Sequence, residues 1–441
     1  GGFMWDFSDN AVVRSDRNGA LDSDASNGAD GILGPHREKE ASYYTVRDVW
    51  APIQFENIRI TSSFDGRILT RNDYLYTNLK DCSASYRLLR AEADGMKSIE
   101  QGEVKLPALD PRCSGFSTMH ISGRFFDADV LEITLCHPSG EAMVTRTWPI
   151  HRAAYYVPEN TNAKAPAATL SSPADAVQLA ASGVTVSFDK TTARIRYVKG
   201  RKGNVSLTDG PIAVGMNCRL DRVESRMEGD KAVFTAYYLG ALDSIRWEMA
   251  PDGSLAMSAV MLNRANGGKG FDDAVVVQNV KNLGFSFRYP EELVEGVKWF
   301  GRGPQRVWKN RIRGTQYGIW QKDYNDALTG AAFDRLVYPE FKGYHADMRW
   351  MTLQTKEGDF TVRSSSDGLY MRLYGPEQPA DNKSGIIAYP DFPEGDLSFL
   401  YEIPAMRCFK PLSEHGPSGQ PGHVRIKKGD EGIHMNLRFE F

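Results

Sequence analysis

Along most of this chain, apolar and polar residues alternate at every second position, the period of a half-buried β-strand. From 51 to 157 the alternating runs are short: Ile53–Ile60, Leu75–Thr77, Ala84–Arg90, Phe116–Ile121, Asp129–Leu135 and Ala142–Pro149. Asp65-Gly66, Asp94-Gly95 and Pro138-Ser139-Gly140 interrupt them with the residue types that tight turns require. Strands about 8–12 residues apart over ~100 residues predict an immunoglobulin-like sandwich. From 178 to 441 the clearest strands are Val184–Asp189, Thr192–Val198, Ala232–Tyr238, Ile245–Met249, Leu255–Leu262, Leu283–Arg288 and Met435–Phe441, with a hairpin signal at Asp252-Gly253. Helical periodicity is nearly absent there, so one large antiparallel sandwich is expected. Between the two β regions, residues 158–177 are expected as a linker, their composition shifting to Ala, Pro, Ser and Thr.

Residues 1–50 follow a different pattern. Gly2–Asp9 reads as a strand, a loop rich in Asp, Gly, Ser and Asn follows, and residues 41–50 suit a short amphipathic helix. One strand without neighbours cannot fold alone, which suggests a piece of a larger unit. The start, Gly1 to Asp6, has neither the basic nor the apolar region of a signal peptide.

Composition narrows the function classes. The 53 Lys and Arg against 56 Asp and Glu give a formal net charge of -3. A charge this small provides no strong field for nucleic acid or anionic membrane, so neither is expected as a partner. No apolar run reaches the length of a transmembrane helix. Five scattered cysteines (Cys82, Cys113, Cys136, Cys218, Cys408) without a Cys-x-x-Cys pair argue against a zinc site or disulfide framework. The loop from Asp22 resembles a calcium loop only superficially: its glycine, Gly28, is one position late, and Leu33 stands where a chelating Glu belongs. No metal and no cofactor are expected.

Several segments carry candidate chemistry. Trp5 and Asp6 end the N-terminal strand, where an indole could wall a sugar ring. Asp30-Gly31-Ile32-Leu33-Gly34-Pro35 is a turn suited to returning a polar side chain to a cleft. Trp299-Phe300-Gly301-Arg302-Gly303-Pro304 lacks the strand-to-helix context of a phosphate loop and reads as a tight bend beside aromatics. In Asp347-Met348-Arg349-Trp350, Asp and Arg share a face if the segment is a strand, as a structural ion pair would. Residues 414–423, containing His415, form a polar Gly/Pro loop of the kind that carries function on a rigid scaffold. No nucleophile elbow and no zinc-protease signature occurs, and no carboxylate pair announces itself for glycoside cleavage.

Taken in order, these segments resemble the C-terminal portion of glycoside hydrolase family 2 β-galactosidases. Gly2-Phe3-Met4-Trp5-Asp6-Phe7-Ser8-Asp9 is similar to that family's last barrel strand, and Asp30-Gly31-Ile32 to the segment following it. Tyr43 to Phe55 resembles the exit from the barrel. Trp299 to Pro304 and Asp347-Met348-Arg349-Trp350 resemble two signatures of the small-chain domain, and His415 to Gln420 a loop found in many such enzymes. The resemblance implies an all-β chain: an immunoglobulin-like sandwich at 51–157, then a galactose-mutarotase-like supersandwich at 178–441. A remnant of a (β/α)8 barrel at 1–50 would precede them. It implies that Trp5, Asp30 and His415 bind sugar, with a β-galactoside or related β-glycoside and the upstream catalytic barrel as partners, and a homo-oligomer as a further one. The catalytic glutamates would lie on earlier barrel strands, so no catalytic residue is assigned here. Two departures stand out: Arg306-Val307-Trp308-Lys309-Asn310-Arg311 replaces Glu-Asn-Tyr-x-Asp-Arg, and the barrel-end loop lacks Gly-Gly-Asp-Phe. A cation in place of a carboxylate shifts the expected substrate toward β-glycosides other than galactosides, including acidic ones.

The main expectation is an accessory region of a retaining hydrolase, inactive alone. The competing readings are a stand-alone carbohydrate-binding module using Trp299, Trp308, Trp320 and Trp350, a mutarotase-like epimerase using His345 and Glu340, and a region that only mediates oligomerisation.

Overall fold

The computed structural model describes residues 3–22, 28, 31–159, 165–262, 277–326, 340–375, 392–405, 424–426 and 432–441. The chain is nearly all β, with one α-helix, Ala41–Val49, among the described residues. Its N-terminal part is less regular than expected. Phe3–Asp9 forms no strand; only Ser8 bridges to Leu33. Asp9 N–H donates to the Leu33 carbonyl at 2.8 Å, and the Asp9 carboxylate accepts from Gly31 N–H at 2.8 Å. Gly31 makes this possible, because a Cβ there would sit 2.4 Å from the Asp9 nitrogen.

Seven strands between Ile53 and Pro149 form the first β unit, in the order Ile53–Phe55, Arg67–Asn72, Ser114–Met119, Gly95–Lys105, Ser83–Glu92, Val130–Cys136, Ala142–Pro149. Gly95–Lys105 pairs with Ser83–Glu92 along most of its length but meets Ser114–Met119 only through Val104 and Lys105, and so passes from one half of the unit to the other. The two halves close over Ile53, Ile68, Leu88, Ile133, Leu135 and Trp148. Leu75–Thr77 is not a strand: Asn72 turns the chain there, its side chain donating to Thr77 O and Leu109 O. The expected turns are present, with Glu92 opposite Gly95 and His137 N–H bonded to Glu141 O.

The C-terminal part builds around one large core that includes Phe188, Phe234, Trp247, Phe287, Trp299 and Phe439. A nine-stranded antiparallel sheet runs Cys218–Glu228, Lys231–Gly240, Leu242–Met249, Leu255–Met261, Ile433–Glu440, Phe360–Ser364, Trp350–Thr355, Val294–Gly303, Gln316–Asp323. The chain's last strand therefore lies in the middle of this sheet, between partners distant in sequence. A five-stranded sheet contains Thr208–Val214, Leu283–Arg288, Leu397–Glu402, Tyr370–Leu373 and Gly343–His345. Another has strands between Thr169 and Val205. Thr169–Ser171, inside the expected linker, is a strand that pairs with Gln178, Leu179 and Ala180 of Ala176–Ala181.

Two motif readings change. Trp299–Gly303 is the end of a strand, not a bend; the chain turns only at the cis Gly303-Pro304 bond. The glycines serve close packing. A Cβ on Gly303 would fall 2.6 Å from the Trp320 ring and 2.8 Å from that of Trp299. Asp347 and Arg349 do not pair with each other, because Asp347 has a positive φ and the strand begins only at Trp350. Asp347 instead binds Arg302, and Arg349 binds Asp367, each at 2.8 Å.

Candidate functional site

Only one of the three sequence-predicted sugar contacts has a described position. Trp5 is 86% exposed, and the neighbouring Asp6 carboxylate accepts from Asn10 Nδ2 at 2.6 Å. Asp30 and His415 lie outside the described residues. Phe3, Phe7, Val12, Val13 and Trp50 also face solvent.

The start of the helix meets a buried cluster of charges that the local sequence does not signal. Glu40 immediately precedes the helix. Burial, then the nearby Asp9 and Glu340, push its carboxyl up to about 7, against the opposing pull of Arg311 and Arg306. Arg311 donates to Ser42 Oγ at 3.1 Å; burial and then Arg306 bring it down to about 10, while Glu340 and Glu40 resist. Glu340 accepts from the Arg306 backbone N–H at 3.1 Å. Burial works against its charged form, but Arg306, Lys322 and Arg311 outweigh burial and hold it below its ordinary range. The cluster thus brings Asp9 and Glu40 into the field of charges from the C-terminal sandwich. Arg306 and Arg311 come from the segment in which the sequence shows cations.

His345, at 0% exposure, packs 4.7 Å from the Trp299 ring. Burial, then Lys322, lower it to about 3, opposed by Glu340 and the Phe341 carbonyl. A neutral, enclosed imidazole beside an ion-paired Glu340 is poorly placed for the proton transfers of a mutarotase. Trp299 and Trp308 are 0% and 1% exposed, so both are core residues, whereas Trp320 and Trp350 are half-buried.

A cleft of about 480 Å³ opens where the helix meets both β units, lined by Asp48, Gln54, Arg71, Arg146, Arg302 and Arg313 among others. Its arginines are largely committed. Arg146 and Arg313 bind the two oxygens of Asp48 at 2.7 and 2.6 Å, and both donate to Gln54 Oε1. Arg302 binds Asp347, and Arg71 binds Asp73. This arrangement fastens three parts of the chain together.

Residues 216–368 match the family model described as beta galactosidase small chain. The C-terminal region is β-galactosidase-related. In this β-galactosidase-related region lie Arg306, Arg311, Glu340 and His345, together with the Trp299–Pro304 and Asp347–Trp350 signatures. No curated protein matches the chain. A solved structure, from the crystal structure analysis of HI1317, is similar at 8% identity with a TM-score of 0.30, over 64% of this chain and 97% of that one. A likeness that distant says nothing about activity.

Glu40, Asp48, Arg146 and Arg313 are functional residues that the sequence did not point to. No local signal could have found them, since Asp48 and Arg313 are 265 positions apart.

Proposed function

We propose that this chain is the C-terminal accessory region of a β-galactosidase-like retaining glycoside hydrolase. In this reading the catalytic carboxylates belong to an upstream barrel. The chain scaffolds that barrel and completes its sugar cleft, with Trp5 as an apolar wall, Asp30 as a hydroxyl partner and the His415 loop as a closing element.

The observation that carries the reading is the small-chain family match at 216–368. The exposed apolar side chains of Phe3, Trp5, Phe7, Val12 and Val13 along one short segment support it, since another element would cover them. Arg306 and Arg311 bear on specificity. Arg306 pairs with Glu340, and Arg311 lies in the field of Glu340 and Glu40, so their positive charge is not by itself a reason to expect an acidic substrate.

The test is hydrolysis of a nitrophenyl β-galactoside by this chain alone, beside the chain extended upstream through a whole barrel. Cleavage by the extended chain only is the expected result. Comparable cleavage by the isolated chain would overturn the proposal and direct the search to a carboxylate pair within these residues.

A further inference from the structure

We infer that a second cleft, between the two β units and away from Trp5, is a non-catalytic binding site for an uncharged pyranose sugar. It rests on the glycoside reading only for the choice of sugar as ligand; the cleft itself is argued from its own walls.

The cleft has a volume of about 420 Å³. That lies within the ~300–1,000 Å³ range of small-molecule sites, which favour domain junctions and combine aromatic walls with a few placed polar groups. Its aromatic walls are Trp350, Tyr155 and Tyr156. The two tyrosines are held from behind. Tyr156 packs edge-on against Phe300 at 5.0 Å, and its hydroxyl donates to Asp129 at 2.9 Å. Tyr155 stacks on His151 at 3.8 Å with an interplanar angle of 14°, which covers one face of its ring. Tyr155 is nevertheless 62% exposed, so its other face is open. A braced, open ring suits the apolar C–H face of a pyranose, because little rotamer freedom remains to be lost on binding.

Arg90 and Arg363 supply the polar groups. Arg90 uses Nε to donate to Asp127 O at 3.0 Å, and its terminal nitrogens have no partner among the described residues. Arg363 is oriented by Glu440, which it binds at 3.0 Å. Oriented guanidinium donors can bond the vicinal hydroxyls of a sugar. The acidic residues along the same wall are Glu92, Asp127 and Asp129. Asp129 is turned inward, accepting from Tyr156 and from Ala91 N–H. Arg363 is already paired with Glu440, Glu92 with Lys97 and Asp127 with Arg124, and the carboxylate of Asp129 offsets Arg90, so the wall carries no net positive charge, which favours an uncharged sugar over an acidic one.

The test is a titration of the full chain, followed by saturation-transfer NMR and calorimetry, with methyl β-galactopyranoside, methyl β-glucopyranoside and galacturonate as probes. The expected result is saturable, millimolar binding of at least one methyl glycoside. Saturation transfer should be strongest at the C–H groups of one ring face. Tyr155→Ala and Arg90→Ala should each weaken binding about tenfold or more, a typical loss at an anchoring residue. Neither change disturbs a buried core, so both variants remain folded. No saturable binding of either methyl glycoside up to about 50 mM, far weaker than any useful site, overturns the proposal. So does binding that both variants leave unchanged, or binding of galacturonate alone. Because no hydrolysis is measured, failure here leaves the accessory-region reading standing; hydrolysis by the isolated chain would overturn that reading while leaving a sugar as this cleft's ligand.

Discussion

Arg313 binds Asp48 through Nε at 2.6 Å, joining the C-terminal sandwich to the end of the helix that precedes the first β unit. Arg146, from that first unit, grips the other carboxylate oxygen at 2.7 Å. Asp48 is 4% exposed, so one buried carboxylate holds three parts of the chain.

Replacing Asp48 should therefore uncouple the units. Asp48→Ala leaves the part-buried Arg146 guanidinium without its counter-charge, and breaking a fully buried pair costs about 3–5 kcal/mol. Arg313 is half exposed and recovers hydration, so a loss on the order of 3 kcal/mol is expected. Urea unfolding should show a lower midpoint and a separate early transition. A single, unshifted transition would show that the junction does not depend on this carboxylate.

Glu40 predicts a stability change with the opposite sense to an ordinary ion pair. Its carboxyl lies at about 7 in the fold against 4.5 unperturbed. Below pH 4.5 folded and unfolded chains both hold the proton, and the group costs nothing. As pH rises from 4.5 through 7, the unfolded chain releases its proton first and stability falls; above 7 the whole cost is present. Glu40→Gln should therefore stabilise the protein by on the order of 2 kcal/mol at pH 8, with the gain fading as pH falls. Equal gains at pH 5 and pH 8 in paired urea titrations would contradict this.

His345 works in the acid range. Its folded value of about 3, against 6.5 unperturbed, means that the unfolded chain binds the proton more readily. Its contribution is present above 6.5 and is lost progressively as pH falls toward 3. In NMR titrations the His345 ring should keep the chemical shifts of the neutral form down to pH 5. A midpoint near 6.5 would mean that the ring is solvated and would reopen the epimerase reading.

Gly303→Ala should destabilise the chain by about 1–3 kcal/mol, the range for overpacking, because its Cβ would enter the rings of both Trp299 and Trp320. Gly123 has nothing within 4 Å of its Cβ position, so Gly123→Ala should be nearly neutral. Thermal unfolding of the two variants decides between a packing role for the Gly-Arg-Gly run and a merely flexible one.

In the chain extended through a barrel, Trp5→Ala, Asp30→Ala and His415→Ala should each lower kcat/KM for the nitrophenyl glycoside by about tenfold or more, equivalent to the loss of ~1.4 kcal/mol of transition-state binding. Unchanged kinetics for any one of them removes that residue from the sugar site.

The strands were legible in the sequence wherever one face is buried. Val184–Asp189 and Leu283–Arg288 occur as the alternating or apolar runs predict, and the Asp94-Gly95 and Asp252-Gly253 hairpins close where a turn residue with positive φ is needed. Helix Ala41–Val49 was legible from its pattern as well. Such features depend on neighbours in sequence. Gly2–Asp9 misled because a run rich in aromatics looks like a strand whether or not a partner exists to accept its hydrogen bonds.

What only the tertiary structure decided is which distant groups meet. Nothing near Ile433–Glu440 says that it will fill the middle of a nine-stranded sheet. Nothing near Glu40 says that Arg311 will lie beside it, or near Asp347 that Arg302 will be its partner. Side-chain periodicity assigns a residue to a face. The partner it finds there depends on how whole sheets pack, and a buried charge takes its pKa from every group that packing brings close.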